Sequence, residues 1–394
     1  MSEIKSIDSL NAEGKKVIVR VDFNCPVEDG AVTDDTRIKR ALPTINKLLS
    51  QNAKVILMSH RGRPSGTGYE EEFSLKPVAS RLSDLVDANV ELAKDICGSD
   101  AKEKAEHLKE GQILLLENLR FDKREKKNDP EFARELATLA DVYVNDAFGT
   151  AHRAHASTAG VPQYLPAYAG YLILNEVETL EGMLKNPERP FTAILGGSKV
   201  SDKIKVINSL IDKCDNLIIC GGMAYTFLGA QGYEVGKSIC EPDWYDRALE
   251  MIKKAKDNGV NLMLPVDVEV ADDFKADANH KTVSVSEIPP TWQGLDCGPE
   301  TSKNSEEVIK NSKTIFWNGP AGVFEFDAFA VGTKQIAKAV AESSGKSIIG
   351  GGDSVAAINK YELADKMTFV STGGGASMEL VQGEKLPGVE ALRK

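Results

Sequence analysis

Along the chain, short runs of apolar and β-branched residues alternate with longer stretches whose apolar positions recur three and four apart. In the first half the runs are KVIVRVDFN, KVILMSH, ILLLENLR and VYVNDAFG; in the second they are FTAILGG, NLIICGG, LMLPVDV, TIFWNGP, KSIIGGG and MTFVSTGGG. Near-continuous apolar runs suit strands buried on both faces of a parallel sheet. The intervening TRIKRALPTINKLLSQN and DPEFARELATLADV read as crossover helices, the second opened by Asp129 as N-cap and Pro130 at the first helical position. The pattern predicts an α/β protein of two doubly wound, Rossmann-like lobes. Between the two sets of runs lies the helical stretch PAYAGYLILNEVETLEGMLKNPERP, closed by Asn186-Pro187 and followed by Pro190. The expected organisation is an N-terminal lobe over 1–170, a helical hinge over 171–188, a C-terminal lobe over 189–377 and a last segment over 378–394.

Composition narrows what such lobes bind. At 394 residues the chain exceeds what one core supports, and 42% hydrophobic with 27% charged residues excludes global disorder. The 48 Lys and Arg against 59 Asp and Glu give a net charge of −11, so nucleic acid is not an expected partner. Two uncharged stretches, 156–175 and 216–233, are broken by Pro162, Gln163 and Pro166 and by four glycines respectively; they read as core and loop, and no membrane association is expected. The opening MSEIKSIDSL has acidic residues and no apolar segment, so no secretory leader is expected there. Six cysteines without a C-x-x-C spacing fit reduced thiols in a cytoplasmic protein, and the lack of heptads points to a monomer.

In open parallel sheets ligands bind outside the carboxyl ends of the strands, and there the two halves differ. First-half strands run into Asp22 and Asn24, into His60-Arg61-Gly62-Arg63, into Arg120, and shortly into His152 and Arg153, with Arg37 after the first loop. Any one arginine alone is best explained by a surface ion pair. Their shared position at strand ends, in an acidic chain, points instead to a small polyanion, because guanidinium binds phosphate and carboxylate through paired hydrogen bonds. Asp22 and Asn24 fit either turn capping or contact with ligand hydroxyls.

Second-half strands end in Gly196-Gly197, Gly221-Gly222, Gly350-Gly351-Gly352 and Gly373-Gly374-Gly375, where missing Cβ atoms let backbone N–H groups approach a phosphate or a flat base. After the first pair, SKVSDKIKVINSLIDK predicts a helix with Val200, Ile204, Ile207 and Ile211 as its apolar stripe. Lys199 and Lys203 then share the stripe's edge and face the glycine turn. Asp353 fits either the N-cap of the helix SVAAINKY or a Mg²⁺ ligand in a phosphate site.

Several chemistries are excluded. GKS at 236–238 is preceded by Gln231 where a Walker loop needs glycine, and no G-x-G triplet continues into the dinucleotide fingerprint. His152-Arg153 is followed by alanine, which is not the protein-kinase catalytic loop; G-x-S-x-G and zinc-ligand spacings are also absent. The mixed-sign run DKREKKND at 122–129 reads as a solvated loop. A nicotinamide-dependent oxidoreductase would need the missing fingerprint. A non-enzymatic binding protein would keep the basic pocket without needing lysines and an aspartate beside phosphate-binding glycines.

A basic pocket on one lobe, a glycine-rich nucleotide face on the other and a helix between them describe a two-substrate small-molecule kinase. RVDFNCPVEDGAVTDDTRI, SHRGRP, ENLRF, NDAFGTAHRAHAS, LGGSKVSDKI, WNGPAGVFE and GGGDS, in that order, closely resemble the phosphoglycerate kinases from end to end, with Cys25 standing where an aliphatic residue is common. The resemblance implies that Asp22, Asn24, Arg37, His60, Arg61, Gly62, Arg63, Arg120 and Arg153 bind 3-phosphoglycerate or 1,3-bisphosphoglycerate. It implies that Lys203, Gly294, Glu325, Gly350, Gly351, Gly352 and Asp353 bind Mg-ATP or Mg-ADP, with Glu325 at the ribose, Asp353 at the metal and Lys199 near the moving phosphoryl group. The segment 378–394 is then expected to return to the first lobe. The implied activity is reversible, Mg²⁺-dependent phosphoryl transfer between 1,3-bisphosphoglycerate and ADP. A carboxylate nucleophile is already ionised at pH 7 and needs no base. The catalytic work left is to stabilise charge, which falls to Arg37, Lys199, Lys203, Mg²⁺ and helix N-terminal N–H groups near Gly373, after the lobes close about residues 170–190.

Overall fold

The apolar runs become strands, and the strands sort into two parallel sheets. The computed structural model describes residues 4–393. One structural unit holds the residues up to Glu178 together with those from Lys385 onward; the other is Thr179–Glu384.

In the first unit the chain runs through β1 (Lys16–Val21), the short ribbon β2 (Val27–Glu28) and β3 (Ala31–Val32), α1 (Thr36–Ser50), β4 (Lys54–Met58), α2 (Lys76–Leu85), β5 (Val90–Leu92), α3 (Ser99–His107) and β6 (Ile113–Leu115). It continues through α4 (Pro130–Ala137), β7 (Val142–Asp146) and β8 (Ala167–Ala169) into α5 (Tyr171–Lys185). The six-stranded sheet has the order β5-β6-β4-β1-β7-β8 and every pairing in it is parallel. Val17, Val19 and Val21 of β1 pack with Leu57, Val144 and the inner face of α1 (Ile38, Ile45, Leu48). Fully burying each such side chain is worth about 1.5–3 kcal/mol. Asp129 caps α4, its carboxylate accepting the N–H groups of Glu131 and Phe132, both at 3.0 Å. Register pairs Val21 with Asp146 and Arg20 with Met58, so β1, β4 and β7 end abreast.

The second unit contains β9 (Phe191–Leu195), α6 (Ile204–Ile211), β10 (Asn216–Ile219), α7 (Met223–Ala230), α8 (Tyr245–Asp257), β11 (Asn261–Met263), β12 (Asp267–Ala271), β13 (His280–Ser284) and β14 (Gln293–Cys297). Then come α9 (Pro299–Lys310), β15 (Thr314–Asn318), α10 (Val331–Glu342), β16 (Lys346–Gly350), α11 (Gly352–Lys360), β17 (Phe369–Val370) and α12 (Gly375–Val381). Its parallel sheet has the order β11-β10-β9-β15-β16-β17, so the winding reverses between β9 and β15. Loops diverge from such a switch point and leave a crevice at the strand ends.

Three features depart from expectation. A second, antiparallel sheet, β13-β12-β14, joins the unit. The run LMLPVDV, expected as one strand, splits at Pro265, which has no N–H for a ladder, into β11 of the parallel sheet and β12 of the antiparallel one. The division between units falls within α5, and α12 spans the expected boundary at 377/378, so the second unit extends to Glu384. Beyond it α13 (Pro387–Glu390) lies with the first unit, its Gly388 N–H donating to Ala151 O at 2.8 Å. Among the described residues no helix is long and apolar enough to cross a membrane.

Candidate active site

In the first unit the carboxyl ends of β1, β4, β6 and β7 bring cations together. Arg20, the charge inside β1's apolar run, is buried; its Nε donates to Ser157 Oγ at 2.8 Å and its Nη2 lies 3.1 Å from His60 Nδ1. Ser157 in turn donates to the buried carboxylate of Glu125 through Oγ at 2.5 Å and N at 3.0 Å. A guanidinium has no acceptor, so His60 Nδ1 must accept and the ring proton sits on Nε2. Burial holds His60 well below its usual pKa, and the charges of Arg20, Arg120, Arg153 and Arg37 push the same way. His155 falls to about 4, from burial first and then from Arg20, Arg120, Arg153 and Lys126. Both imidazoles are therefore neutral at pH 7 and sit within a concentrated positive field that favours an anion.

The remaining first-unit residues divide by role. Arg37, in the first turn of α1, pairs with Asp22, whose other oxygen lies 3.4 Å from Asn24 N. Asn24 Oδ1 accepts Gly62 N–H at 2.9 Å, locking the first loop to the second. Gly62 has φ of +63°, and a Cβ there would come within 2.4 Å of Phe73, so only glycine fits that turn. Arg120 donates to Gly62 O at 2.7 Å, while its buried Nε has no partner, an orphan donor beside the cluster. Arg63 and Arg153 are exposed. Arg61, expected among the ligands, instead donates to the carbonyls of Ser74 and Glu72. Its peptide is clasped by Asn118, which accepts Arg61 N–H at 3.2 Å and donates to Arg61 O at 2.7 Å. That arginine holds the turn in shape from behind.

In the second unit the switch point opens into two adjoining hollows. The larger, about 640 Å³, has a mostly apolar wall that includes Phe274, Gly294, Leu295, Val323 and Phe326, with Glu325 on its border. The smaller, about 340 Å³, is polar and carries Lys199, Lys203, Asn318, Gly351, Gly352, Gly374 and Gly375. Gly197, Ser198 and Asp353 line both. An apolar slot continuous with a glycine- and lysine-lined recess has the division of a nucleotide into base and phosphates.

Several second-unit expectations need correction. Helix α6 begins only at Ile204, with Lys203 as its N-cap residue, so Lys199 is an exposed loop residue and the two lysines do not share a helix edge; Ile204 is only half-buried. Lys203 reaches back to Asn318 Oδ1, and burial lowers its pKa against the pull of Asp353. Asn318, at the end of β15, also donates to Gly350 O at 2.8 Å, so Gly350 stands behind the recess. The N-cap of α11 is Gly351, which leaves Asp353 in the first turn, exposed to both hollows, so the capping role falls away. Gly373 N–H donates to Ser371 Oγ at 3.1 Å, and it is Gly374 and Gly375 that line the recess. Gly294 is a wall residue whose N–H donates to Ser238 Oγ at 2.9 Å.

Comparison with known proteins decides the family. The phosphoglycerate kinase family model matches residues 7–384. A phosphoglycerate kinase of Moorella thermoacetica is 55% identical over 387 residues, covering 98% of both chains. The chain belongs to the phosphoglycerate kinase family. Solved structures agree: a phosphoglycerate kinase from Coxiella burnetii superposes with a TM-score of 0.92 at 45% identity, over 99% of this chain and 98% of that one. One from Pyrococcus horikoshii gives 0.83 at 33%, with the same coverage. Phosphoglycerate kinases transfer phosphate to a carboxyl group, and this chain is an enzyme of that kind.

In this member of the phosphoglycerate kinase family, Arg20, Asn118, Ser157 and Asn318 stand within the quoted motifs without an assigned role, and Glu125, fully buried, corrects the expectation that 122–129 is a solvated loop throughout. Arg20 had a visible signal, a lone charge inside a buried strand, which is rare unless the charge is put to use. Asn318, the polar end of an apolar strand, carried a weaker one. The partners of Glu125 and Ser157 are tertiary and leave no local pattern.

Proposed function

We propose that the protein catalyses the reversible transfer of a phosphoryl group between 1,3-bisphosphoglycerate and ADP, giving 3-phosphoglycerate and ATP, by direct in-line displacement. The observation that carries this reading is the convergence of Arg20, Arg37, Arg120 and Arg153 on a neutral His60, in a chain of this family. Arg120, Arg153, Arg63 and Arg37 grip the phosphate and carboxylate of the acid, and Asp22 and Asn24 meet its hydroxyl. His60 serves as a neutral donor through Nε2, while Arg61 and Gly62 shape the turn. Adenine lies along the wall by Gly294, the ribose at Glu325, and the phosphates over Gly351, Gly352, Gly374 and Gly375 between Lys199 and Lys203.

A magnesium ion fits the residues present. Asp353 offers one exposed carboxylate at the junction of the hollows, and Mg²⁺ binds nucleotides through one or two carboxylates plus phosphate oxygens. Asp353 would hold it, and the ion would neutralise charge on the phosphates. In the ATP-consuming direction the substrate carboxylate attacks as the anion it already is, so no side chain need take a proton. Lys199, Lys203 and Arg37 stabilise the negative charge on the transferring group. We further propose that the two units close on their ligands by bending of the region 170–190, excluding water from the acyl phosphate. Six free thiols, four of them buried, support a reducing cytoplasmic setting.

Incubation with Mg-ATP and 3-phosphoglycerate in hydroxylamine tests the reading, because hydroxylamine traps an acyl phosphate as a hydroxamate. Wild type is expected to form hydroxamate and Arg37→Ala to form far less, through a lower kcat. Folded wild type that binds both ligands and forms none would overturn the kinase reading in favour of a binding protein.

A further inference from the structure

The loop that carries Lys199 and Lys203 has little structure of its own. Ahead of α6 it is a set of turns with one internal backbone bond, Lys203 N–H to Val200 O at 2.9 Å. It is fastened instead from a distant stretch of chain. Glu241 Oε2 accepts Ser201 N–H at 3.0 Å, Oε1 accepts Ser201 Oγ–H at 2.7 Å, and the Val200 N–H serves the same carboxylate. Glu241 is itself fixed, its N–H donating to Oγ1 of Thr226, which is fully buried in α7, at 3.1 Å. The preceding residues are pinned to the wall of the apolar slot: Lys237 N–H donates to Trp292 O at 2.8 Å and Ser238 Oγ accepts from Gly294. Residues 237–241 thus form a strap with one end on the base wall and the other on the lysine loop. Glu241 lines neither hollow, so it is not placed to touch a ligand.

We propose that Glu241 is a positioning residue for phosphate binding: its carboxylate holds the turn at 200–201 and so places Lys199 and Lys203 against the nucleotide's phosphates, with no part in holding the base. The inference rests on the reading of the two hollows as a nucleotide site. Released, the loop would have to order itself each time phosphates bind, and that entropic cost would fall on phosphate recognition alone. Gln in place of Glu241 keeps the length but removes the charge and leaves one acceptor oxygen in place of two, so the clasp is weakened without emptying its space.

The test compares adenosine with ADP. Hydrogen bonds to a charged group support an expectation that Glu241→Gln weakens ADP binding by about tenfold, with adenosine binding and the KM for 3-phosphoglycerate unchanged. Ser201→Ala, which removes one of the donors, is expected to weaken ADP by about threefold. Adenosine and ADP weakening together would reveal a merely structural role, and no change in either would show an idle clasp; both outcomes overturn the inference. Wild type that binds neither ligand would overturn the reading of the hollows, and the inference would fall with it.

Discussion

His155 shows how much of the site's character comes from its field. Its Nδ1 lies 3.9 Å from Glu125 Oε1, yet burial and the surrounding cations hold its pKa near 4. An unfolded chain protonates this ring near the usual 6.5, so between that pH and about 4 the unfolded state binds the extra proton and the folded state does not. Stability from this group is present at neutral pH and is lost as pH falls through that window, and His60 acts in the same direction. His155→Asn is expected to flatten the decline of Tm between pH 6.5 and 4; an unchanged decline would show that the cations do not reach it. The basic residues at strand ends were legible because several like charges at equivalent positions are improbable by chance. What Arg61 does was not legible, because its partners, the carbonyls of Ser74 and Glu72, come together only when the loop closes.

At the scale of elements, the glycine turns are of two kinds that look alike in sequence. A Cβ on Gly196 would sit 2.1 Å from Pro320 O, so this glycine lets the two central loops of the switch point cross. A Cβ on Gly352 would meet nothing within 4 Å, and that residue faces the polar recess. Overpacking costs about 1–3 kcal/mol. Gly196→Ala is therefore expected to lower the urea midpoint clearly, whereas Gly352→Ala leaves the midpoint near wild type and weakens only nucleotide binding. Equal midpoints for the two variants would count against this division. The parallel strands were legible because both faces are covered, and their residues are apolar almost throughout. The antiparallel sheet was not, since β13 (His280–Ser284) is mostly exposed and offers no apolar run. By contrast β17, only two residues long and half-buried, was legible, because Phe369 and Val370 lie within the run MTFVSTGGG.

At the scale of the molecule, the residues proposed to hold the acid belong to one unit and those proposed to hold the nucleotide to the other, so the proposed direct transfer requires the two units to bring their ligands together. Small-angle scattering with 3-phosphoglycerate and a non-hydrolysable ATP analogue together is expected to give a smaller radius of gyration than the ligand-free protein. No compaction with both bound would count against the proposed closure. A chain of net −11 that nonetheless concentrates four arginines around His60 offers a small anion an attractive region against an overall negative charge.

The return of residues from Lys385 onward to the first unit has a consequence for how the protein is made. Leu386, Val389 and Leu392 are buried there, so that unit is completed by residues translated about two hundred positions after its own α5 begins. The second unit, Thr179–Glu384, is contiguous and holds all its residues before the first unit receives its last piece. Domains emerging from the ribosome ordinarily finish in the order in which they are encoded. Here the order of completion is reversed: the first unit begins first, waits with an uncovered patch beside Ala151, and is sealed only when the second unit has already left the exit tunnel.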